Sequence, residues 1–300
     1  MTALPALTPV HPHVAGLGES PLWHPQEQAL YWVDIPGKAL LRLRADGTTL
    51  DRWALPSEPG CIARRASGGL LMARRDGVHA FDPATGQSTL LIAPPYDPAR
   101  QRFNDGKADP QGRWWIGGID DARAPDAFFY RLDHQGCTAV LPGVSTGNGL
   151  AFSPDGRRLY HSDTKAHTIF VRDYEPATGV PGEARVLARF TPREAGQPLS
   201  AYGGRPDGAA VDAEGAYWVA LFEGQRLLRL SPAGEVLAEV PLPVRCPTMP
   251  AFGGADLRTL YVTTASLGRP ADELAAQPLA GCVLQMRVEV PGLPVPAVDL

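Results

Sequence analysis

The sequence predicts an all-β protein, a six-bladed β-propeller with a central channel, in which residues 1–300 form a single domain. Three observations carry this. Long helical periodicity is nearly absent: the best helical candidate, "PADELAAQPL" at Pro270–Leu279, is short and broken by Pro278. Short apolar or alternating runs dominate, separated by Gly, Pro, Asp and Asn, which is the pattern of strands and tight turns. A motif also recurs along the whole chain.

The copies follow in order. "GESPLWHPQEQALYWVD" starts at Gly18, and a weaker copy, "GCIARRASGGLLMAR", starts at Gly60. "NDGKADPQGRWWIGG" starts at Asn104 and "NGLAFSPDGRRLYHSD" at Asn148. "PDGAAVDAEGAYWVAL" starts at Pro206 and "PTMPAFGGADLRTLYVTT" at Pro247. Each has a polar or glycine start, a short strand, a turn, then an aromatic or leucine-bearing strand. Four copies continue into a third strand: "ALLRLRADG", "GVHAFDPATG", "HTIFVRDYEPATG" and "QRLLRLSPAGE". The second strands are anchored by Tyr31, Leu71, Trp115, Tyr160, Trp218 and Tyr261, at spacings of 40, 44, 45, 58 and 43 residues. One four-stranded blade needs roughly 40–50 residues. The long spacing contains "RFTPREAGQPLSAYGGR", which reads as an inserted loop before Asp207.

Composition narrows the function. The 32 Gly and 31 Pro are scattered, so they mark turns and not a linker. Net charge is −4 with no basic run, which argues against a nucleic-acid partner. Cys61, Cys137, Cys246 and Cys282 are widely separated and form no CxxC pair, which argues against a zinc or dithiol motif. No secretory signal or membrane span is visible, and a cytoplasmic location is expected.

In a propeller the innermost strands line the channel, so equivalent positions of the repeat form a ring. The residues that start these strands, 11 or 12 before each anchor, are Glu19, Asn104, Asn148 and Asp207. Blade two offers only Gly60 or Cys61, and blade six Pro247 or Thr248. Turn chemistry accounts for any one Asn or Asp but does not require four in phase. Two carboxylates aimed into one small cavity repel, and a shared cation relieves this. Oxygen donors of this kind suit Ca²⁺, Mg²⁺ or Mn²⁺ and also accept Zn²⁺ or Fe²⁺. Asp34 and Asp163 are phase-matched too, but lie in second strands and read as hydrogen-bonders to loops. "SDT" at Ser162–Thr164 lacks the setting of a nucleophilic serine. Cys61 reads as a small wall residue, and Trp114, Trp115 and Trp218 as packing.

Five stretches resemble the family of gluconolactonases and regucalcin. They are "GESPLW" at Gly18–Trp23, "RFNDGKADPQGRWW" at Arg102–Trp115, "NGLAFSPDGRRLY" at Asn148–Tyr160, "PDGAAVDAEGAYWVA" at Pro206–Ala220 and "FGGADLRTLYVTTA" at Phe252–Ala265. The resemblance implies one divalent metal ion at the channel mouth, held by Glu19, Asn148 and Asp207. It implies sugar contacts from Arg102 and Asn104. An acidic substrate contact would fall on Asp120 or Asp121, with Asp121 the expected one.

These residues suit a metal-dependent sugar lactonase, whose small-molecule partner is a sugar lactone opened to its aldonic acid. A metal polarises the carbonyl and acidifies water. A ligand or neighbouring carboxylate can take the water's proton, and the resemblance implies that this base is Asp207; Arg102 offers fixed donors, and Asn104 both donates and accepts. Competing readings are a phosphotriesterase-like or promiscuous esterase on the same metal site, and a non-catalytic calcium-binding propeller.

Overall fold

The computed structural model, which describes residues 7–300, turns each copy of the repeat into a four-stranded antiparallel sheet. Six such sheets form the ring. Their innermost strands are Gly18–His24, Pro59–Arg64, Gln101–Ala108, Gly147–Phe152, Arg205–Val211 and Pro247–Gly253, for blades one to six. Strand order within blades one to five follows the chain outwards.

The second strands read as nearly unbroken apolar runs because both of their faces are buried between blades. Alternate residues point to opposite faces of a strand. In Ala29–Asp34, Tyr31 and Val33 pack with Ile62, Leu70 and Met72 of blade two. Leu30 and Trp32 pack the other way, with Tyr261 and Val283 of blade six. In Trp114–Asp120, Trp114 and Ile116 meet Leu71 of blade two, while Trp115 meets Leu150 and Leu159 of blade four. Equivalent clusters join blades four and five through Tyr160 and Tyr217, and blades five and six through Trp218 and Phe252. One apolar cluster therefore fills each of the six contacts around the ring.

Closure uses an element that the repeat does not reveal. The outermost strand of blade six is Thr8–Pro9, which pairs with Leu284–Arg287 through Thr8–Gln285 and Pro9–Leu284. The Val10 amide then donates to the Val283 carbonyl at 2.9 Å. Residues 8–10 thus complete the blade built from the last copy of the repeat.

Each inner strand also breaks register with its neighbour near its start. The shifts fall at Glu19/Leu22, Pro59/Cys61, Phe103/Gly106, Asn148/Ala151, Pro206/Ala209 and Pro247/Met249. Such bulges re-aim side chains and are common beside functional sites. The Pro270–Leu279 candidate forms a helix over Ala271–Ala276. The long fourth spacing has two sources. The outer hairpin of blade four is long, with strands Thr168–Glu175 and Val180–Arg189. The loop that follows holds one 3₁₀ turn, Leu199–Ala201. All four cysteines are free. Among the described residues no helix is long and apolar enough to cross a membrane.

Deleting residues 1–10 would strip the outer strand from blade six and expose the edge of Leu284–Arg287. The expected result is a lower unfolding midpoint, by roughly 3–8 °C for a loss of about 2 kcal/mol, with the β-rich circular dichroism retained below it. An unchanged midpoint in a thermal melt would show that the ring closes without this strand.

Candidate active site

The ring residues lie at the bulges, where the inner strands of different blades come together. Four of the side chains expected there are joined in one line of hydrogen bonds. Arg102 Nη1 donates to Asn104 Oδ1 at 2.7 Å and to the Phe103 carbonyl at 2.9 Å. Asn104 Nδ2 donates to Asn148 Oδ1 at 2.9 Å and to the Gly147 carbonyl at 3.0 Å. Asn148 Nδ2 donates to Asp207 Oδ1 at 2.7 Å and to Thr164 Oγ1 at 2.7 Å. The line crosses blades three, four and five, and all four side chains are buried.

The backbone after Asn148 makes this approach possible. Gly149 has φ +66°, and a Cβ there would collide with the Tyr217 hydroxyl and meet Ser162 Oγ at 2.8 Å. Tyr217 instead donates to the Gly149 carbonyl at 2.8 Å, tying blade five to blade four beneath the amide. Only glycine adopts this conformation without strain and leaves room for that contact.

Glu19 stands outside the hydrogen-bonded line but shares its electrostatics. Its Oε2 accepts from the Ser20 amide at 3.3 Å. Burial, followed by the charges of Asp207 and Asp105, raises its pKa well above the usual carboxylate range. Asp207 is pushed up to about 8, chiefly by burial and also by Asp105, against the opposing pull of Arg205 and Arg102. Asp105 is raised as well, again mainly by burial. Its Oδ2 accepts from the Leu150 amide at 2.9 Å, while Oδ1 is buried without a partner among the described residues. Three carboxylates therefore crowd a site where none forms an ion pair among the described residues.

Donor capacity remains after these contacts. Glu19 Oε1 and Asp207 Oδ2 accept no hydrogen bond from the described residues, and the Asn148 amide oxygen keeps one of its two lone pairs. These three groups come from blades one, four and five. Arg102 forms no ion pair, and its Nη2 and Nε make no hydrogen bond among the described residues, so they are free for a ligand. No group of three His, Cys, Asp or Glu side chains converges as a metal site among the described residues. A cation site here would need the amide oxygen of Asn148 beside its two carboxylates.

The two acidic candidates after Trp115 are held in different ways. Asp120 is buried and binds its own turn, accepting from the Ala122 amide at 2.9 Å. Asp121 is exposed and accepts from Arg75 Nη1 at 2.9 Å and Nη2 at 3.2 Å. Arg75 also pairs with Glu58, so Asp121 belongs to a rim network between blades two and three. The starts of the two other blades carry no charge. Cys61 is buried, with its thiol pushed up by burial, and Thr248 Oγ1 donates to the Gly18 carbonyl at 2.6 Å. Asp34 and Asp163 bind loop amides: Gly16 and Leu17 at 3.2 Å for Asp34, and Ser145 at 2.9 Å for Asp163.

Two participants escape a reading of the repeat. Asp105 follows Asn104 directly, but its neighbours do not reveal that it turns inward. Thr164 lies 16 residues beyond Asn148 and reaches it only across the blade-four hairpin.

The raised carboxylates make stability depend on pH. Between the unfolded carboxylate pKa near 4 and the folded value near 8, the native state holds a proton that the unfolded chain has lost. The contribution of Asp207 is fully present below about pH 4 and falls as pH rises towards 8, by up to about 1.4 kcal/mol per pH unit; Glu19 and Asp105, raised as well, act in the same direction. In chelator, the unfolding free energy should therefore drop between pH 5 and pH 8, and Asp207→Asn should flatten that slope. Urea titrations across this range test it; equal slopes in both proteins would contradict the assignment.

A family model described as "SMP-30/Gluconolactonase/LRE-like region" matches residues 17–266. The sequence is 44% identical to a 6-deoxy-6-sulfogluconolactonase of Pseudomonas putida, over 92% of each chain. It is 34% identical to an L-arabinolactonase of Azospirillum brasilense, over 92% of this chain and 90% of that one. The structure is similar to a calcium-binding protein, regucalcin, from Agrobacterium tumefaciens, with a TM-score of 0.91 and 29% identity over 99% of this chain and 98% of that one.

Proposed function

Because the chain belongs to the SMP-30/gluconolactonase/LRE-like family, we propose that it is a sugar lactonase that hydrolyses an aldonolactone to the aldonic acid at the channel mouth. The observation that carries this reading is the group of acceptors left free among the described residues: Glu19 Oε1, Asp207 Oδ2 and the Asn148 amide oxygen, beside an Arg102 that forms no ion pair there. The carboxylates fit a divalent cation because each is buried and raised towards its protonated form, a condition that a shared positive charge relieves. Glu19, Asn148 and Asp207 would hold the ion, with Ca²⁺, Mg²⁺, Mn²⁺, Zn²⁺ and Fe²⁺ all compatible with oxygen donors. When bound, the ion would supply carbonyl polarisation and a more acidic water.

The chain's own groups supply the rest. Asp207 takes the proton of the attacking water on its carboxylate, which Asn148 orients by donating to Oδ1. The free guanidinium edge of Arg102 points donors at substrate oxygens, and Asn104 holds the other edge in place. The relative 44% identical acts, by its name, on a 6-deoxy-6-sulfogluconolactone, and the one 34% identical on an arabinolactone. Both six- and five-carbon sugar lactones therefore belong in a substrate panel.

A panel of aldonolactones assayed by acid release, with each divalent ion and with chelator, tests the proposal. Turnover should require a divalent ion. Asp207→Ala and Asn148→Ala should lose roughly 10²–10⁴-fold in kcat/KM and bind metal more weakly, with unchanged circular dichroism. Arg102→Ala should mainly raise KM. Full activity of Asp207→Ala without metal would overturn the mechanism. Turnover of phosphotriesters but no lactone would point to an esterase of another class, and metal binding with no turnover to a calcium-binding propeller.

A further inference from the structure

The inner strands have a second end. Their starts hold the polar ring, and their later residues enclose a cavity of about 290 Å³ at the opposite side of the channel. Its wall is mostly apolar, with Trp23, Ile62, Phe152, Val211 and Phe252 contributed by five different blades, and its polar side chains are Ser20, Ser153 and Lys107. Small-molecule sites commonly start near this size and combine an apolar lining with a few placed polar groups.

The charged group in this wall is Lys107. It lies on the blade-three inner strand, two residues beyond Asp105, and is half-buried where it lines the cavity. Among the described residues the Lys107 side chain forms no ion pair and no hydrogen bond. The charge of Asp105 offsets part of the cost of burying Lys107, but the two form no ion pair among the described residues. An ammonium held in an apolar enclosure without a partner is costly, and an anion in the same enclosure offsets that cost.

The C-terminal segment spans this end of the channel. It is anchored on one side where the Ala213 amide donates to the Pro291 carbonyl and the Gly292 amide to the Leu257 carbonyl, both at 2.8 Å. On the other side the Val298 amide donates to the Arg64 carbonyl at 2.8 Å and the Asp299 amide to the Gly112 carbonyl at 2.9 Å. Between the anchors, residues 293–297 make no backbone–backbone hydrogen bond among the described residues, and Leu293 to Pro296 face the cavity. Arg64 Nη2 holds this stretch by donating to the Val295 carbonyl at 2.6 Å.

We propose that this cavity is a second ligand site, separate from the polar ring, that binds a small monocarboxylate with an apolar body, its carboxylate on Lys107 and its chain against the apolar wall under the 293–297 strap. A sugar or aldonate is a poor occupant, because the wall offers too few partners for its hydroxyls. A medium-chain fatty acid matches both the charge and the lining.

Octanoate tests this, with octanamide as its neutral counterpart. Binding is read on the full chain by calorimetry and by the fluorescence of Trp23, in the presence of chelator so that a metal at the ring cannot attract the carboxylate. Octanoate should saturate the protein at least 10-fold more tightly than octanamide. Lys107→Met should bring octanoate to the octanamide level, and Val211→Phe, which fills the cavity, should weaken both. Equal affinity for the two ligands, octanoate binding untouched by either variant, loss of binding in chelator, or no saturable binding up to millimolar octanoate would each overturn the proposal. Should Lys107→Met not fold, the octanoate-to-octanamide ratio of the unaltered protein and the Val211→Phe result decide it.

Discussion

Everything at the channel mouth depends on one repeated break in pairing. Each inner strand slips register against its neighbour near its start. In a regular antiparallel pair the side chains alternate strictly, so a charged start would point into the space between blades on half of its positions. The bulge frees the first residues from that alternation and lets Glu19, Asn104, Asn148 and Asp207 turn towards the axis. Beyond the break, regular pairing resumes and the strand returns to packing. The same strand can therefore carry a polar ring at one end and an apolar wall at the other.

The ring concentrates charge that the fold does not neutralise. Glu19, Asp105 and Asp207 are buried, and all three have raised pKa values. The cations that oppose this are engaged elsewhere or displaced from contact. Arg205 pairs with Glu223 at 2.6 Å, and Arg102 spends one nitrogen on Asn104 and the Phe103 carbonyl. A purely structural ring would settle more stably with serine or threonine at these starts, as blade six does with Thr248. Buried carboxylates of raised pKa are a common mark of functional sites for this reason.

Much of this is legible in the sequence. The anchors Tyr31, Leu71, Trp115, Tyr160, Trp218 and Tyr261 mark the blades because a strand buried on both faces must be apolar along its length. The starts 11 or 12 residues earlier mark the ring because turn and strand lengths are nearly constant between copies. What stayed hidden has physical reasons. Thr8–Pro9 is only two residues long, and its pairing with Leu284–Arg287 joins the two ends of the chain. Asp105 and Lys107 lie beside the bulge of blade three, where alternation does not say which way a side chain points. The pairing of Asp121 with Arg75, 46 positions earlier, is formed across two blades and leaves no mark in the local sequence. The resemblance to a known family supplied roles for Glu19, Arg102, Asn148 and Asp207 that phase alone could not.

The direction of the hydrogen bonds explains why amides occupy two of the four ring positions. Every donor in the line faces the same way, from Arg102 through Asn104 and Asn148 to Asp207. A link in such a line must accept from one neighbour and donate to the next, and an uncharged amide does both from one rigid plane. A carboxylate at Asn104 or Asn148 could not donate onward while ionised. It would also add a fourth negative group to a site in which three already resist ionisation. A hydroxyl could pass the bond along but would be too short to span two blades. The amides therefore serve two ends at once: they orient Asp207 through Oδ1, leaving Oδ2 open, and they do so without adding charge.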